Sequence, residues 1–216
     1  MGGNTMCGGS FASGVSAPSS QIDSNLYPPN ANFMIDKPPS GSWLLPFNST
    51  AGTLPLNSNQ VQGCYLFVPT PLVISNMGIN IQTAGDSSSI VFLSLYQKVV
   101  MQNLYRQVLG EQQINVGVAT GIQQVAINLP VSAGRFIALV RNTSGGTNAV
   151  ITSRNGAVGF WSFAMDSVEA TTDMQRGGIH PSQIAGYVNG APPAQFSLTT
   201  VAASRQASPS VFLQVA

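Results

Sequence analysis

One histidine, two cysteines and seven acidic residues are the whole stock from which this chain of 216 residues could build catalytic or metal-binding chemistry. His180 lies in the turn-like run Gly177-Gly178-Ile179-His180-Pro181, with Asp173 upstream and Ser182 beside it. A hydrolytic triad needs nucleophile, imidazole and acid to converge in space, which neighbours along one turn do not provide. His180 therefore reads as a turn histidine rather than a base. Asp166 and Glu169, followed by Asp173, form the close acidic pair of the C-terminal half. Glycoside hydrolysis needs two carboxylates facing each other across a sugar at about 5 to 9 Å, and these read instead as solubilising charges on a loop. Cys7 and Cys64 are too few for a disulfide framework and are expected as free thiols. With a single histidine they supply no plausible zinc set. No glycine-rich loop leads from a strand into a helix, so a phosphate cradle is not expected. No catalytic residue, metal site or cofactor is assigned.

Recognition chemistry is better represented. An aromatic ring offers a flat apolar face with polar groups at its margin, which suits stacking against a sugar. Trp43, Tyr65, Tyr96, Tyr105, Trp161 and Tyr187 are the available rings. Most sit within strand patterns and belong in a core, whereas Tyr105 and Tyr187, nearer turns, are the candidate glycan contacts. The sequons Asn48-Ser-Thr50 and Asn142-Thr-Ser144 are short enough to recur by chance.

The composition limits what can position these residues. Eight basic and seven acidic side chains leave a net charge of +1, while Ser, Thr, Asn and Gln together number 70. The surface must be covered mainly by uncharged hydrogen-bonding groups, which argues against long solvent-facing helices. With no basic stripe, a nucleic-acid partner is not expected, and no stretch approaches the roughly 18 apolar residues of a membrane span. Met1 to Ser20 has neither Lys nor Arg and no continuous apolar core, so it does not read as a secretory signal or transit peptide.

Residues 1 to 40 contain 21 Gly, Ser, Pro or Asn, and Pro18, Pro28-Pro29 and Pro38-Pro39 oppose regular helix and central strand pairing. Residues 1–45 are read as an extended anchoring arm and 46–216 as the folded domain. Phe11, Val15, Ile22, Leu26, Tyr27, Phe33, Met34 and Ile35 punctuate the arm and are expected to dock in the pockets of a neighbour.

From Gly41 onward, short β-type runs alternate with turn residues. Trp43 to Phe47, Val61 to Val68, Leu72 to Ile81 with a bulge at Asn76 or Gly78, and Ile90 to Gln97 come first. A run from Leu104 to Leu109 is expected to lead through Gly110-Glu111 into a strand-loop region with Ile114, Val116 and Val118, and one from Ile122 to stop at Pro130. Arg135 to Arg141 follows, then a hairpin turn over Asn142 to Asn148 into Ala149 to Thr152. Ala157 to Met165, Gln195 to Val201 and Pro209 to Val215 complete the strands, with a short helical turn somewhere in His180 to Val188. The pattern predicts an all-β, antiparallel β-sandwich of jelly-roll type. Ile79, Ile81, Val91, Leu93, Leu95, Ile127, Phe136, Ala138 and Val140 are expected in one core. Ile90, Phe92 and Tyr96, on the other side of their strand, must meet a subunit or a second layer.

Between Cys64 and Leu139 the runs Tyr65-Leu-Phe-Val-Pro69, Leu72-Val-Ile-Ser-Asn-Met-Gly-Ile-Asn-Ile-Gln-Thr-Ala-Gly85, Ile90-Val-Phe-Leu-Ser-Leu-Tyr96, Ile127-Asn-Leu-Pro130 and Gly134-Arg-Phe-Ile-Ala-Leu139 occur in series. Val108-Leu109 and Thr120-Gly121 come after an intervening loop that follows Tyr96. The series resembles the small β-sandwich modules of bacteriophage tail fibres, head fibres and other virion appendages. Where that family often carries adjacent Tyr and Trp after the late glycine, this chain has Phe136-Ile137. The resemblance implies a non-enzymatic structural protein of a phage particle, a capsid decoration or short fibre. It would be anchored by the arm to other virion proteins, self-associated as a homotrimer and assembled in the host cytoplasm. It also implies an alternative, a receptor-binding module for host-surface glycan. A glycan-cleaving enzyme would need paired acids that the sequence does not place.

Overall fold

The computed structural model describes residues 37–46, 50–56, 60–99, 102, 104–142, 147–155, 184, 192–197 and 208–216. They belong to one compact unit, Lys37–Ala216. The arm residues Phe11, Val15, Ile22, Leu26, Tyr27, Phe33, Met34 and Ile35 lie outside the described residues, as do His180, Asp166, Glu169, Asp173 and Tyr187. The regular elements that are described are all strands: β1 Trp43–Leu44, β2 Thr50–Pro55, β3 Gln60–Val68, β4 Leu72–Thr83, β5 Ile90–Lys98 and β6 Tyr105–Asn115, then β7 Gly121–Val131, β8 Gly134–Asn142, β9 Val150–Asn155, β10 Gln195–Phe196, β11 Ser208–Pro209 and β12 Val211–Val215.

Their antiparallel pairings make two sheets. The first runs β1-β12-β4-β9-β11, with β7 paired to β4 and β2 to β9; the second runs β10-β6-β5-β8-β3. Period-two alternation dictates how they stack. Along β4, Leu72 and Ile74, then Met77, Ile79 and Ile81, are buried, while Val73, Asn76 and Asn80 are only partly covered. The phase slips between Ile74 and Asn76, where the β4–β7 register shifts, at the expected bulge. Val91, Leu93 and Leu95 of β5 and Phe136, Ala138 and Val140 of β8 meet β4 from the opposite sheet. All nine predicted core residues lie in this one cluster, each large aliphatic side chain contributing roughly 1.5 to 3 kcal/mol by leaving water.

A second, smaller cluster lies on the other side of the second sheet: Val61, Tyr65, Tyr96, Tyr105, Ile137, Leu139, Ile184 and Phe196. Of the far side of β5, Tyr96 is covered within the chain, whereas Ile90 and Phe92 stay partly exposed. Tyr96 donates its hydroxyl to the Pro193 carbonyl at 2.8 Å and packs its ring against Phe196 at 4.9 Å.

Three local expectations are corrected. β6 runs on through Gly110 to Asn115 as a strand, and carries the irregularity itself, as extra residues between Gln107 and Gln112 where its register shifts against Leu95 of β5. β7 runs through Pro130, which an edge strand tolerates because one side of its backbone has no ladder to complete. Asn142 to Asn148 is not a hairpin turn. β8 and β9 lie in different sheets, so the chain crosses between layers there. Asn142, buried, fastens the crossing by donating its amide to the Leu56 carbonyl at 2.5 Å, which also removes it as a glycosylation acceptor. The short helical turn has no counterpart at Ile184, the one described residue of His180 to Val188, which is buried in the second cluster.

Candidate functional site

The outer face of the first sheet carries a shallow groove with about 220 Å³ of room, lined by Trp43, Leu45, Asn80, Ile122, Thr152, Ser210 and Phe212. Each reaches it by strand geometry. Val211, Leu213 and Val215 of β12 point into the core, so Phe212 and Gln214 point out. Ile79 and Ile81 point in, so Asn80 points out, with Ile122 of β7 paired beside it. Trp43 pairs with Gln214, and its strand is pinned by backbone hydrogen bonds of 2.9 Å from Gly41 N to Val215 O and from Val215 N to Ser42 O.

The floor is Phe212, whose ring meets Trp43 edge to face at 4.7 Å between centroids and 86° between planes. The ring lies flat on the sheet because its neighbour in register is a glycine. A Cβ on Gly78 would stand 2.7 Å from Phe212 Cε2 and 2.6 Å from the Gln123 carbonyl oxygen. Trp43 is 37% exposed, Leu45 45% and Ile122 59%, so a buried ring is flanked by three large side chains still in contact with water.

The margin is polar but uncharged. Gln82 Nε2 donates to Thr152 Oγ1 at 2.7 Å. Asn76 Nδ2 donates to Gln214 Oε1 at 2.8 Å, and Gln214 Nε2 donates to the Gly41 carbonyl at 3.3 Å. None of the seven lining side chains titrates near neutral pH, so the groove can recognise by stacking and hydrogen bonding but offers no general acid or base. Ligand pockets that enclose a small molecule usually have about 300 to 1,000 Å³. This smaller, open groove suits a ligand that presents one flat face.

The rings singled out from sequence divide sharply. Tyr105, expected near a turn and exposed, is fully buried and stacks on Phe196 at 5.6 Å with 18° between planes, so it is not a glycan contact. The segment that covers it arrives from residues 192–197, far along the chain. Tyr65 and Tyr96 are buried, as expected of core rings. Tyr187 and Trp161 lie outside the described residues. Trp43 remains as the exposed ring among those described. Leu45, Asn80, Ile122, Thr152, Ser210 and Phe212 were not singled out from sequence. A signal existed for one of them: Phe212 is out of phase with the aliphatic row of its strand, and Gly78, its partner in register, is a vacancy in the outward row of β4.

Other groups with chemical potential do not form a site. Cys64 is buried, and loss of hydration pushes its thiol from an ordinary 9.0 up to about 12, with a Val211 backbone hydrogen bond opposing slightly. Arg141 makes a bidentate pair with Glu111 at 2.5 and 2.6 Å and lies over the Phe92 ring. Among the described residues no group of three His, Cys, Asp or Glu is placed to hold a metal ion.

No family model matches the chain, and none of the curated proteins does. Among solved structures, a pectin-binding carbohydrate-binding module is similar at a TM-score of 0.31 and 11% identity, over 56% of this chain and 94% of that one. A likeness that slight carries neither fold nor function over to this protein.

Proposed function

We propose that the protein is a non-enzymatic β-sandwich that recognises glycan through the groove on its first sheet. The observation that carries this reading is the exposed Trp43 set against Phe212 in an uncharged groove edged by amides and hydroxyls. The C–H face of a pyranose stacks on such a ring, and its hydroxyls exchange hydrogen bonds with groups of the Asn80, Thr152 and Ser210 kind. The setting we propose is a bacteriophage particle, as a fibre or decoration module anchored by residues 1–36. It rests on the resemblance over Cys64 to Leu139 and on a surface with few charges to keep neighbours apart.

Two experiments test the two parts. Titration with host-surface oligosaccharides should change the tryptophan fluorescence of the full chain, and Trp43→Ala should abolish retention on the same glycans. Unchanged retention would sink the groove. A chain starting at Lys37 should fold but no longer join the particle. The cut must stop short of Gly41, whose backbone hydrogen bond holds β12.

A further inference from the structure

The strand β7 pairs with β4 on one side only, and among the described residues nothing pairs with its other edge. An uncovered strand of this length is normally guarded by charges, since a bare row of N–H and C=O groups is a template for another strand. Here the guard is missing: from Gln112 to Gly134 no residue is charged. Pro130, near one end, is the single breaker. Val125 and Leu129 pack against the core but keep part of their surface in water, and Ile122 stands 59% exposed.

We propose that this edge pairs with β7 of a second copy, antiparallel about a two-fold axis at Ala126. The sequence is self-complementary in that register. On the outer face Ile122 stands opposite Pro130, whose missing N–H leaves that terminal pair one hydrogen bond short, Gln124 opposite Asn128, and Ala126 opposite itself. On the inner face Val125 stands opposite Ile127 and Leu129 opposite Gln123. Val125 therefore meets Ile127 and Ile122 meets Pro130, the amides of Gln124 and Asn128 meet each other, Leu129 lies against the aliphatic stem of Gln123, and the small Ala126 at the axis lets the backbones approach. No like charges confront each other, which an isologous contact of a charged strand could not avoid. The two first sheets merge into one, and Ile122 exchanges water for the partner's Pro130. The symmetry is two-fold, in contrast to the trimer that the virion resemblance implies. The proposal does not depend on what the groove binds.

The test uses the full chain in sedimentation. The unsubstituted protein should run at twice its chain mass. Ala126→Lys, which sets a positive charge against its own copy on an exposed face, should run as a monomer with an unchanged β spectrum and a melting temperature that no longer depends on protein concentration, and so should Ala126→Glu. Mixing the two should restore a dimer, because the opposed charges then attract. Backbone amides of β7 should exchange more slowly in the dimer than in either variant alone. If Ala126→Lys fails to fold, the double variants Gln124→Lys with Asn128→Lys and Gln124→Glu with Asn128→Glu replace the pair, because position 124 stands opposite the partner's position 128, with the same expectation. A monomer, a trimer, or a dimer indifferent to all four variants would overturn the proposal. So would a dimer lost on removing residues 1–36, which would name the arm as occupant of the edge. Glycan retention by the Ala126→Lys monomer is expected to persist, so failure of the groove and failure of the edge read separately.

Discussion

The two outer faces of the sandwich are built from similar residues and meet opposite fates. On the second sheet, Tyr65, Tyr96 and Tyr105 are roofed by Phe196 and Ile184 and become core. On the first, Trp43 and Phe212 also touch ring to ring, yet Trp43 is left partly in water and the sheet around it offers amides. What separates a structural aromatic cluster from a recognition surface here is cover from a distant segment. The aromatic content of the strands is the same kind in both places.

That contrast is broken most severely by removing the roof. Phe196→Ala should cost about 3 to 5 kcal/mol, the range for deleting a buried aromatic ring, because Tyr96 and Tyr105 both lose their stacking partner. Thermal and urea unfolding measure it. A loss under about 1 kcal/mol would mean that the second cluster is not core.

Filling the gap under Phe212 should come next. Gly78→Val places atoms where the ring now lies and against the Gln123 carbonyl. Overpacking of this kind costs about 1 to 3 kcal/mol. Unlike Phe196→Ala it should also abolish glycan retention, because the floor of the groove is displaced. Chemical denaturation together with retention on glycan separates the two effects.

How much of this was legible in the sequence follows from the range of the interactions. The buried rows of β4, β5 and β8 are local, written in alternation that every residue pair repeats, and the bulge at Asn76 is visible as a slip of phase. Tyr105 was misjudged because nothing near it in sequence reports that Phe196 lies on its ring. Asn142 reads as the start of a hairpin because the hydrogen bond from its side-chain amide to the Leu56 carbonyl spans a crossing between sheets, which alternation cannot show. Of the groove, Trp43 was visible as a residue, but its exposure depends on how β1 docks at the sheet's edge. Ile122 and Asn80 become neighbours only through the β4–β7 register.

The two buried clusters also set an alkaline limit, through Cys64 in the first and Tyr96 in the second. Burial raises Cys64 to about 12, and burial raises Tyr96 to about 12 as well, with hydrogen bonds from Ser94 and Gln107 opposing and the Glu111 charge adding to the rise. Both groups are acids whose folded values exceed their ordinary 9.0 and 10.0. Below pH 9 they are protonated in both states and add no slope. Above it the unfolded chain ionises first, so stability falls as pH rises toward 12, by about 1.4 kcal/mol per pH unit for the thiol. Cys64→Ala should flatten the early part of that fall between pH 9 and 10, where the thiol contributes more than Tyr96 because its ordinary value is a unit lower. An identical slope in the variant would remove the thiol from the account.

The smallest effect on stability, and the sharpest test of the contrast, is expected at Trp43. Its ring is 37% exposed and its strand is held by backbone hydrogen bonds that a substitution leaves in place. Trp43→Ala should therefore cost well under the Phe196→Ala loss, about 1 kcal/mol for the edge-to-face contact with Phe212, while retention on glycan disappears. Trp43→Phe should recover part of the retention, because a smaller ring still presents a flat face. Since no lining residue titrates near neutrality, binding by the unsubstituted chain should be flat from pH 5 to pH 8. Fluorescence and retention measured across that range check both expectations together. A bell-shaped pH profile would point to ionisable groups in the site, and a Trp43→Ala variant as unstable as Phe196→Ala would place Trp43 with the core rings of the other face.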